Sequence, residues 1–280
     1  MMHRITPYLT IIRPLNALIS FLSPMLILVI SDASEDEVAW GIALLSGIVA
    51  AFVCAGANVI NDIFDLEIDR INKPHRVIAS GAMSLMAAKR YYVFLTGSAV
   101  ILSAYICWPV FGIVVFSVLL LYYYSVYLKR TPIWGNLTVC FFTSVNFLAG
   151  GMAFDQTEHA WYPALFTFLF QFGRELLKDV EDIEGDRVGG ANTFPVMYGV
   201  RASLLIVTLS FIILSIAMYW PYHTGFYGKW YALIVMIGLM PLIVAVTFMM
   251  WRDTSALKIR RLNQLLKLAM FIGLFAIYNG

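Results

Sequence analysis

Apolar runs of about 18 or more residues recur from end to end of this 280-residue chain. A run of that length crosses the hydrocarbon core of a bilayer as a helix, because a helix satisfies its own backbone polar groups. The windows fall at 14–31, 38–64, 84–106, 110–128, 133–153, 160–182, 201–221, 229–251 and 262–279. Composition agrees: 61% of the residues are hydrophobic and 13% charged, where a soluble domain carries roughly a quarter charged residues. The implied fold class is all-α, a polytopic membrane helical bundle of about nine transmembrane helices. No polar linker, repeat array or low-complexity tract divides the chain, so residues 1–280 read as a single transmembrane domain.

The N-terminal "MMHRITPYLTIIRPLNALISF" has no small-residue cleavage site and reads as the first spanning helix, not as a removed signal peptide. Pro109, Pro132, Pro163 and Pro221 are expected near helix ends, while Pro24 and Pro241 are expected to kink the spans that contain them. Cys54, Cys107 and Cys140 are scattered through apolar segments without metal-like spacing, and each reads as a small buried hydrophobe.

Charge orients the bundle. With nine spans, the N-terminus and the even-numbered loops, with their adjoining helix ends, hold 18 of the 19 Lys and Arg residues, leaving Lys229 for the other face. Short cytoplasmic loops collect basic residues, so that side is expected in the cytoplasm of a multi-pass protein of the cell membrane. The opposite loops "SDASEDE" and "FDQTEHA" are short and acidic.

Two predicted helix ends on the cytoplasmic side carry carboxylates. Asn58, Asp62, Asp65 and Asp69 stand at i, i+4, i+7 and i+11, within roughly a 60° arc of one helix face. Asn61 and Asp65 are also i and i+4, so either asparagine can accompany the aspartates. In "FGRELLKDVEDIEGDR", Arg174, Lys178 and Asp182 repeat every four residues, while Asp179, Asp182 and Asp186 repeat at i, i+3, i+7. Stacked carboxylates repel unless a cation sits among them, and oxygen ligands of this kind suit Mg²⁺ bridging to phosphate. Two such ends facing each other, with Arg and Lys to bind the remaining oxygens, make a diphosphate site. A carboxylate-lined, ion-coupled transporter is the reading of another class. Against it, the carboxylates lie at helix ends among bases, and no inverted repeat of broken helices is visible.

At these residues the chain resembles the UbiA superfamily of intramembrane prenyltransferases. The resemblance rests on "NDIFDLEID", the "INKPHR" loop with its following "SG", and "KDVEDIEGDR" followed by "TFPVMYG". "IRPLN" and "YYSVYLKRTPIWGN" add minor matches in the same order. It implies an enzyme in which a prenyl diphosphate ionises with Mg²⁺ and its allylic carbon alkylates a lipophilic acceptor. The resemblance places Asn61, Asp65 and Asp69 in the first metal motif, with Asp62 beside them, and Asp179, Asp182 and Asp186 in the second. It makes Lys73 and Arg76 the loop that covers the diphosphate, and favours Tyr123 and Lys129 as further site residues. Members commonly carry prolines where this chain has Val77 and Ala79. An allylic cation needs a dry pocket with aromatic faces, which 20 Phe and 15 Tyr can supply.

The acceptor is less marked. "EIDRINKPHR" and "KDVEDIEGDR" look most like the branch that makes an ether lipid by adding a geranylgeranyl group to geranylgeranylglyceryl phosphate. The alternative is an aromatic acceptor of the quinone, tocopherol or chlorophyll type. A phosphorylated acceptor needs cations near the first helix, where Arg13 and Asn16 stand. Arg13 can equally be a positive-inside anchor. The partners expected are the prenyl diphosphate, the acceptor and membrane lipid, with neither nucleic acid nor an obligate protein partner.

Overall fold

The computed structural model of the chain describes residues 2–280, with the side chains of 2–5, 32, 34, 71 and 72 excluded. Arg4 of the charge partition, and Ile71 and Asn72 of the loop motif, therefore lie outside the described side chains. Among the described residues there is no strand. In chain order the helices are α1 (Met2–Ile11), α2 (Pro14–Ile30), α3 (Glu37–Phe64), α4 (Leu66–Asn72), α5 (Leu85–Ser103), α6 (Trp108–Val126) and α7 (Trp134–Ala153). They continue as α8 (Thr157–Glu181), α9 (Ile183–Val188), α10 (Phe194–Tyr198), α11 (Val200–His223), α12 (Lys229–Ile234), α13 (Met240–Arg252) and α14 (Ala256–Tyr278).

A long helix occupies every window read from the sequence, and six helical stretches are long and apolar enough to cross a membrane: α3, α6, α7, α11, α12 through α13, and α14. The 17-residue α2 is a shorter apolar helix. The protein is an integral membrane protein; nine crossings remain an expectation of the sequence. The last window starts six residues late, because "ALKIRR" is polar yet helical. Pro221 lies in the last turn of α11, near its end as expected, whereas Pro163 lies inside α8 beyond its first turn. Pro241 avoids a mid-helix clash because a π turn over Val235–Leu239 precedes it, placing it in the first turn of α13.

The surface has the inverted character that a bilayer selects. Large apolar side chains such as Phe94, Ile101, Leu119, Ile216 and Ile237 are exposed along their helices. All seven tryptophans sit within five residues of a helix end and are 43–82% exposed. An amphipathic indole gains most at the boundary between hydrocarbon and headgroup, so this is the aromatic belt of a spanning protein.

The chain divides into two compact units: residues 1–128 with 146–160, and residues 129–145 with 161–280. In the first unit α3 packs against α2, α5 and α6. Lipid tails are as apolar as the helices, so close packing, not water exclusion, holds such helices together. Gly47 of α3 lies where a Cβ would come within 2.8 Å of the Phe21 carbonyl oxygen, and Gly150 where one would come within 2.8 Å of Pro24 Cα. Backbone atoms cannot swing aside, so Gly150→Ala is expected to cost about 1–3 kcal/mol. It would be read as a lower thermal midpoint in detergent, with Gly97→Ala, which meets nothing within 4 Å, unchanged as control.

In the second unit α11, α12, α13 and α14 pack together around Leu204, Val207, Phe211, Tyr231, Ile243 and Ile259. Tyr231 Oη, deep inside, donates to Met218 O at 2.8 Å, and Ser210 Oγ ties α11 to α8 through Leu169 O at 2.8 Å. Burying a phenol or hydroxyl without a partner is costly, and these two backbone acceptors meet that cost. The three cysteines are free thiols.

Candidate active site

The first carboxylate group forms where α3 passes into α4. Asp65 separates them with φ −86° and ψ −1°. This is the sparsely used bridge region of backbone space, where many site residues are found. The hydrogen-bond ladder nevertheless continues across it, from Asp65 N to Asn61 O at 2.9 Å and from Asp69 N to Asp65 O at 2.8 Å. Asp62, Asp65 and Asp69 therefore stay stacked through a break that ends one helix and starts the next.

Arg76 reaches into the stack. Its Nη1 stands 2.7 Å from Asp69 Oδ2, 3.3 Å from Asp62 Oδ1 and 3.6 Å from Asp65 Oδ2. Arg13 Nη2 closes on Asp62 Oδ1 at 2.9 Å. The side chains of Asp62 and Asp69 are only 6% exposed, so these guanidiniums provide the compensation such buried charges require. Burial pushes the Asp69 carboxyl above its ordinary value, and Arg76 pulls against it.

Two local devices hold the guanidiniums in place. Arg13 has φ 52° and ψ 76°, a left-handed conformation immediately before Pro14, which costs an ordinary residue about 1–2 kcal/mol. It is held there by Asp62 and by Asn58, whose Nδ2 donates to Ile12 O at 3.0 Å. Arg76 is carried by a loop that buries Val77 and Ile78 among Ile11, Ala55, Val59 and Met83. Val77 thus anchors the loop by packing.

The spacing expectation holds for the three aspartates. Asn58, on the same arc, spends its amide on the chain before Arg13, while Asn61 Oδ1 accepts from Ser125 Oγ at 3.3 Å. Asn16 is exposed and Tyr123 half-exposed, its ring 5.0 Å from that of Tyr127. Neither is among the groups drawn into the Arg76 network.

The second group repeats the first in sequence and backbone. Asp62, Asp65, Glu67 and Asp69 have the spacing Asp-x-x-Asp-x-Glu-x-Asp, and so do Asp179, Asp182, Glu184 and Asp186. Asp182 separates α8 from α9 with φ −93° and ψ 6°, and the ladder again runs through, from Asp182 N to Lys178 O and from Asp186 N to Asp182 O. The two glutamates are each 79% exposed and pair with the arginine three residues on, Arg70 or Arg187. The equivalent break turns the glutamate of each motif to solvent.

The partners of the second group differ. Asp179 Oδ2 accepts from Asn136 Nδ2 at 2.7 Å, and Asp186 Oδ2 from Thr193 Oγ1 at 2.9 Å. One to two turns deeper, Glu175 accepts from Gln171, Arg174 and Lys178. Sequence reasoning missed Asn136, Thr193, Gln171 and Glu175. The last two had a signal: Gln171, Glu175, Lys178 and Asp182 repeat at i, i+4, i+7 and i+11, the same pattern as in the first motif. Among the described residues no three carboxylate, imidazole or thiol groups converge as a metal cage. Both motifs offer only oxygen ligands, the donor set that suits Mg²⁺ completed by waters and phosphate.

The profile of the UbiA prenyltransferase family matches residues 21–274. The digeranylgeranylglyceryl phosphate synthase of Methanothermobacter thermautotrophicus is 31% identical over 274 residues, covering 98% of this chain and 95% of that protein. The synthase of the same name from Methanoregula boonei is 38% identical over 280 residues, covering 95% of each. A solved structure of a digeranylgeranylglyceryl phosphate synthase superposes with a TM-score of 0.80 at 32% identity, covering 98% of this chain and 97% of the other. A UbiA homologue from Archaeoglobus fulgidus bound to GPP and Mg²⁺ shares the fold, with a TM-score of 0.72 at 19% identity, covering 97% of this chain and 99% of that one.

Proposed function

The chain belongs to the UbiA prenyltransferase family, and on that premise we propose that it transfers a geranylgeranyl group from its diphosphate to geranylgeranylglyceryl phosphate, forming an ether lipid. The observation that carries this reading is the doubled Asp-x-x-Asp-x-Glu-x-Asp motif with its matching backbone break. The near full-length likeness to synthases of that name supports the choice of acceptor.

Asp62, Asp65 and Asp69 would hold Mg²⁺ for the diphosphate at one motif, and Asp179, Asp182 and Asp186 would do so at the other, a reading supported by the GPP and Mg²⁺ bound to the A. fulgidus homologue. When bound, the metal neutralises the charge that develops on the departing diphosphate. Lys73, Arg76, Lys129 and Lys178 bind its remaining oxygens, with Asn61 beside them. Asn58 and Arg13 act behind the site, Arg13 holding the Asp62 carboxylate and Asn58 the chain at the start of α2. Tyr123 offers a π-face to the allylic cation, and apolar walls keep water from capturing it. Residues 1–280 work as one catalytic domain with the site opening to the cytoplasm, where the basic loops are expected.

The test is incubation of purified protein with geranylgeranyl diphosphate, Mg²⁺ and a panel of acceptors, read by mass spectrometry. The expected product is the digeranylgeranyl ether, dependent on Mg²⁺. No product with any acceptor despite diphosphate binding would overturn the reading. Ion flux in liposomes without prenyl diphosphate would favour a transporter.

A further inference from the structure

Glu175 is 8% exposed and Gln171 5% exposed, both inside the second unit. Glu175 Oε1 accepts from Gln171 Nε2 at 2.9 Å and from Arg174 Nη1 at 3.4 Å, and Oε2 accepts from Lys178 Nζ at 3.1 Å. Among the described residues, two atoms of this buried set have no hydrogen-bond partner: the acceptor Gln171 Oε1 and the donor Arg174 Nε. An unmet polar group in such a place costs about 1–3 kcal/mol, so an unmet pair around one carboxylate calls for an explanation. A ligand that satisfies both brings an O–H to Gln171 and an anionic oxygen to Arg174. Because both side chains meet at the same Glu175 oxygen, the ligand's hydroxyl and anion must be close neighbours. A phosphate on the carbon next to an alcohol has that form; a hydroxybenzoate, whose carboxylate is held across a rigid ring, does not.

We propose that Gln171, Arg174 and Glu175 seat the head of a phosphorylated alcohol acceptor and that Glu175 is the general base for its hydroxyl. This inference rests on the ether-forming reaction proposed above and assigns its acceptor subsite. Glu175 lies seven residues inward of Asp182 on the same helix face, a rise of about 10 Å, which leaves room for a diphosphate and the reacting carbon between the two carboxylates. The allylic C–O bond breaks and its electron pair leaves with the diphosphate. A lone pair of the acceptor oxygen forms the new C–O bond, and the proton of that oxygen leaves its hydrogen bond to Gln171 Oε1, passes to the adjoining Glu175 carboxylate and later goes to solvent. An oxonium formed by attack on a carbocation is strongly acidic, so a carboxylate steadied by two cations is basic enough to take the proton. Being a fixed group in a dry interior, it also removes any need for a water that would itself trap the cation.

The test compares ether formation with total diphosphate release, using geranylgeranyl diphosphate, Mg²⁺ and geranylgeranylglyceryl phosphate. Glu175→Gln is expected to lower ether formation by about 10²-fold or more, with diphosphate release falling much less and the missing ether appearing as prenyl alcohol. Gln171→Leu is expected to raise the acceptor KM about tenfold or more, the scale of one buried hydrogen bond lost, with the donor KM unmoved. Thermal midpoints confirm that each variant is folded; if Glu175→Gln fails to fold, Glu175→Asp and Gln171→Leu decide. Equal loss of ether and diphosphate release in folded Glu175→Gln, or no loss of either, overturns the proposal while the function stands. Wild-type protein that prenylates only an aromatic acceptor overturns the function itself.

Discussion

Asp182→Ala is expected to reduce diphosphate release by about 10³-fold, the scale of losing one electrostatic contact made to developing charge, while the thermal midpoint stays near that of the wild type. Asp182 sits at the break between α8 and α9 with no side-chain capping bond, so its carboxylate is not what holds the two helices in register. The backbone bonds to Lys178 O and from Asp186 N do that, and alanine keeps both. Removing one of three closely spaced carboxylates also relieves repulsion among the rest. Asp65→Ala, at the matching break, is expected to behave in the same way. The motif contains its own control, because Glu67→Gln and Glu184→Gln alter side chains that are 79% exposed and paired only with a surface arginine. Each is expected to change stability by no more than about 0.5 kcal/mol and to leave turnover intact. No activity loss in Asp182→Ala would detach the motif from the chemistry, and a large loss in the two glutamate variants would overturn their assignment as solvent-facing controls. Diphosphate release and differential scanning fluorimetry make the comparison.

Arg76→Met carries the second large effect, on stability in the absence of metal. Arg76 stands among Asp62, Asp65 and Asp69, and methionine keeps much of its stem while removing the charge. Breaking a buried pair from one side costs about 3–5 kcal/mol, because the carboxylates left behind remain desolvated. The thermal midpoint of the variant in chelator is therefore expected to fall by several degrees. Mg²⁺ is expected to recover part of that loss, since a ligand at a hundred times its Kd stabilises by about 2.7 kcal/mol. The wild type, whose carboxylates already hold a guanidinium, is expected to gain less. Equal Mg²⁺ shifts in the two proteins would show that Arg76 and the metal do not share these carboxylates.

Much of this molecule is legible without coordinates. A run of 18 apolar residues has one low-energy solution in a bilayer, so the long helices and their approximate limits follow from hydropathy. The limits fail where helix continues into polar sequence, as in "ALKIRR" at the start of α14, because hydropathy reports the membrane and not the backbone. Side chains at i, i+4, i+7 and i+11 must share a helix face, so the stacking of Asp62, Asp65 and Asp69 is also written in the chain.

Tertiary structure decided what the aspartates touch. Spacing alone cannot distinguish Asn58 from its neighbours on the arc, yet packing turns its amide to Ile12 O and away from the carboxylates. Arg13 could be an anchor or an acceptor ligand by sequence, and the left-handed turn before Pro14 sends it to Asp62. Arg76 lies seven residues beyond Asp69, and only the burial of Val77 and Ile78 brings its guanidinium back over the stack. Helix and face are local properties, set by backbone hydrogen bonds and a 3.6-residue period. Which cation meets which carboxylate depends on how a loop closes over a core, and that is decided by packing between residues far apart in the chain.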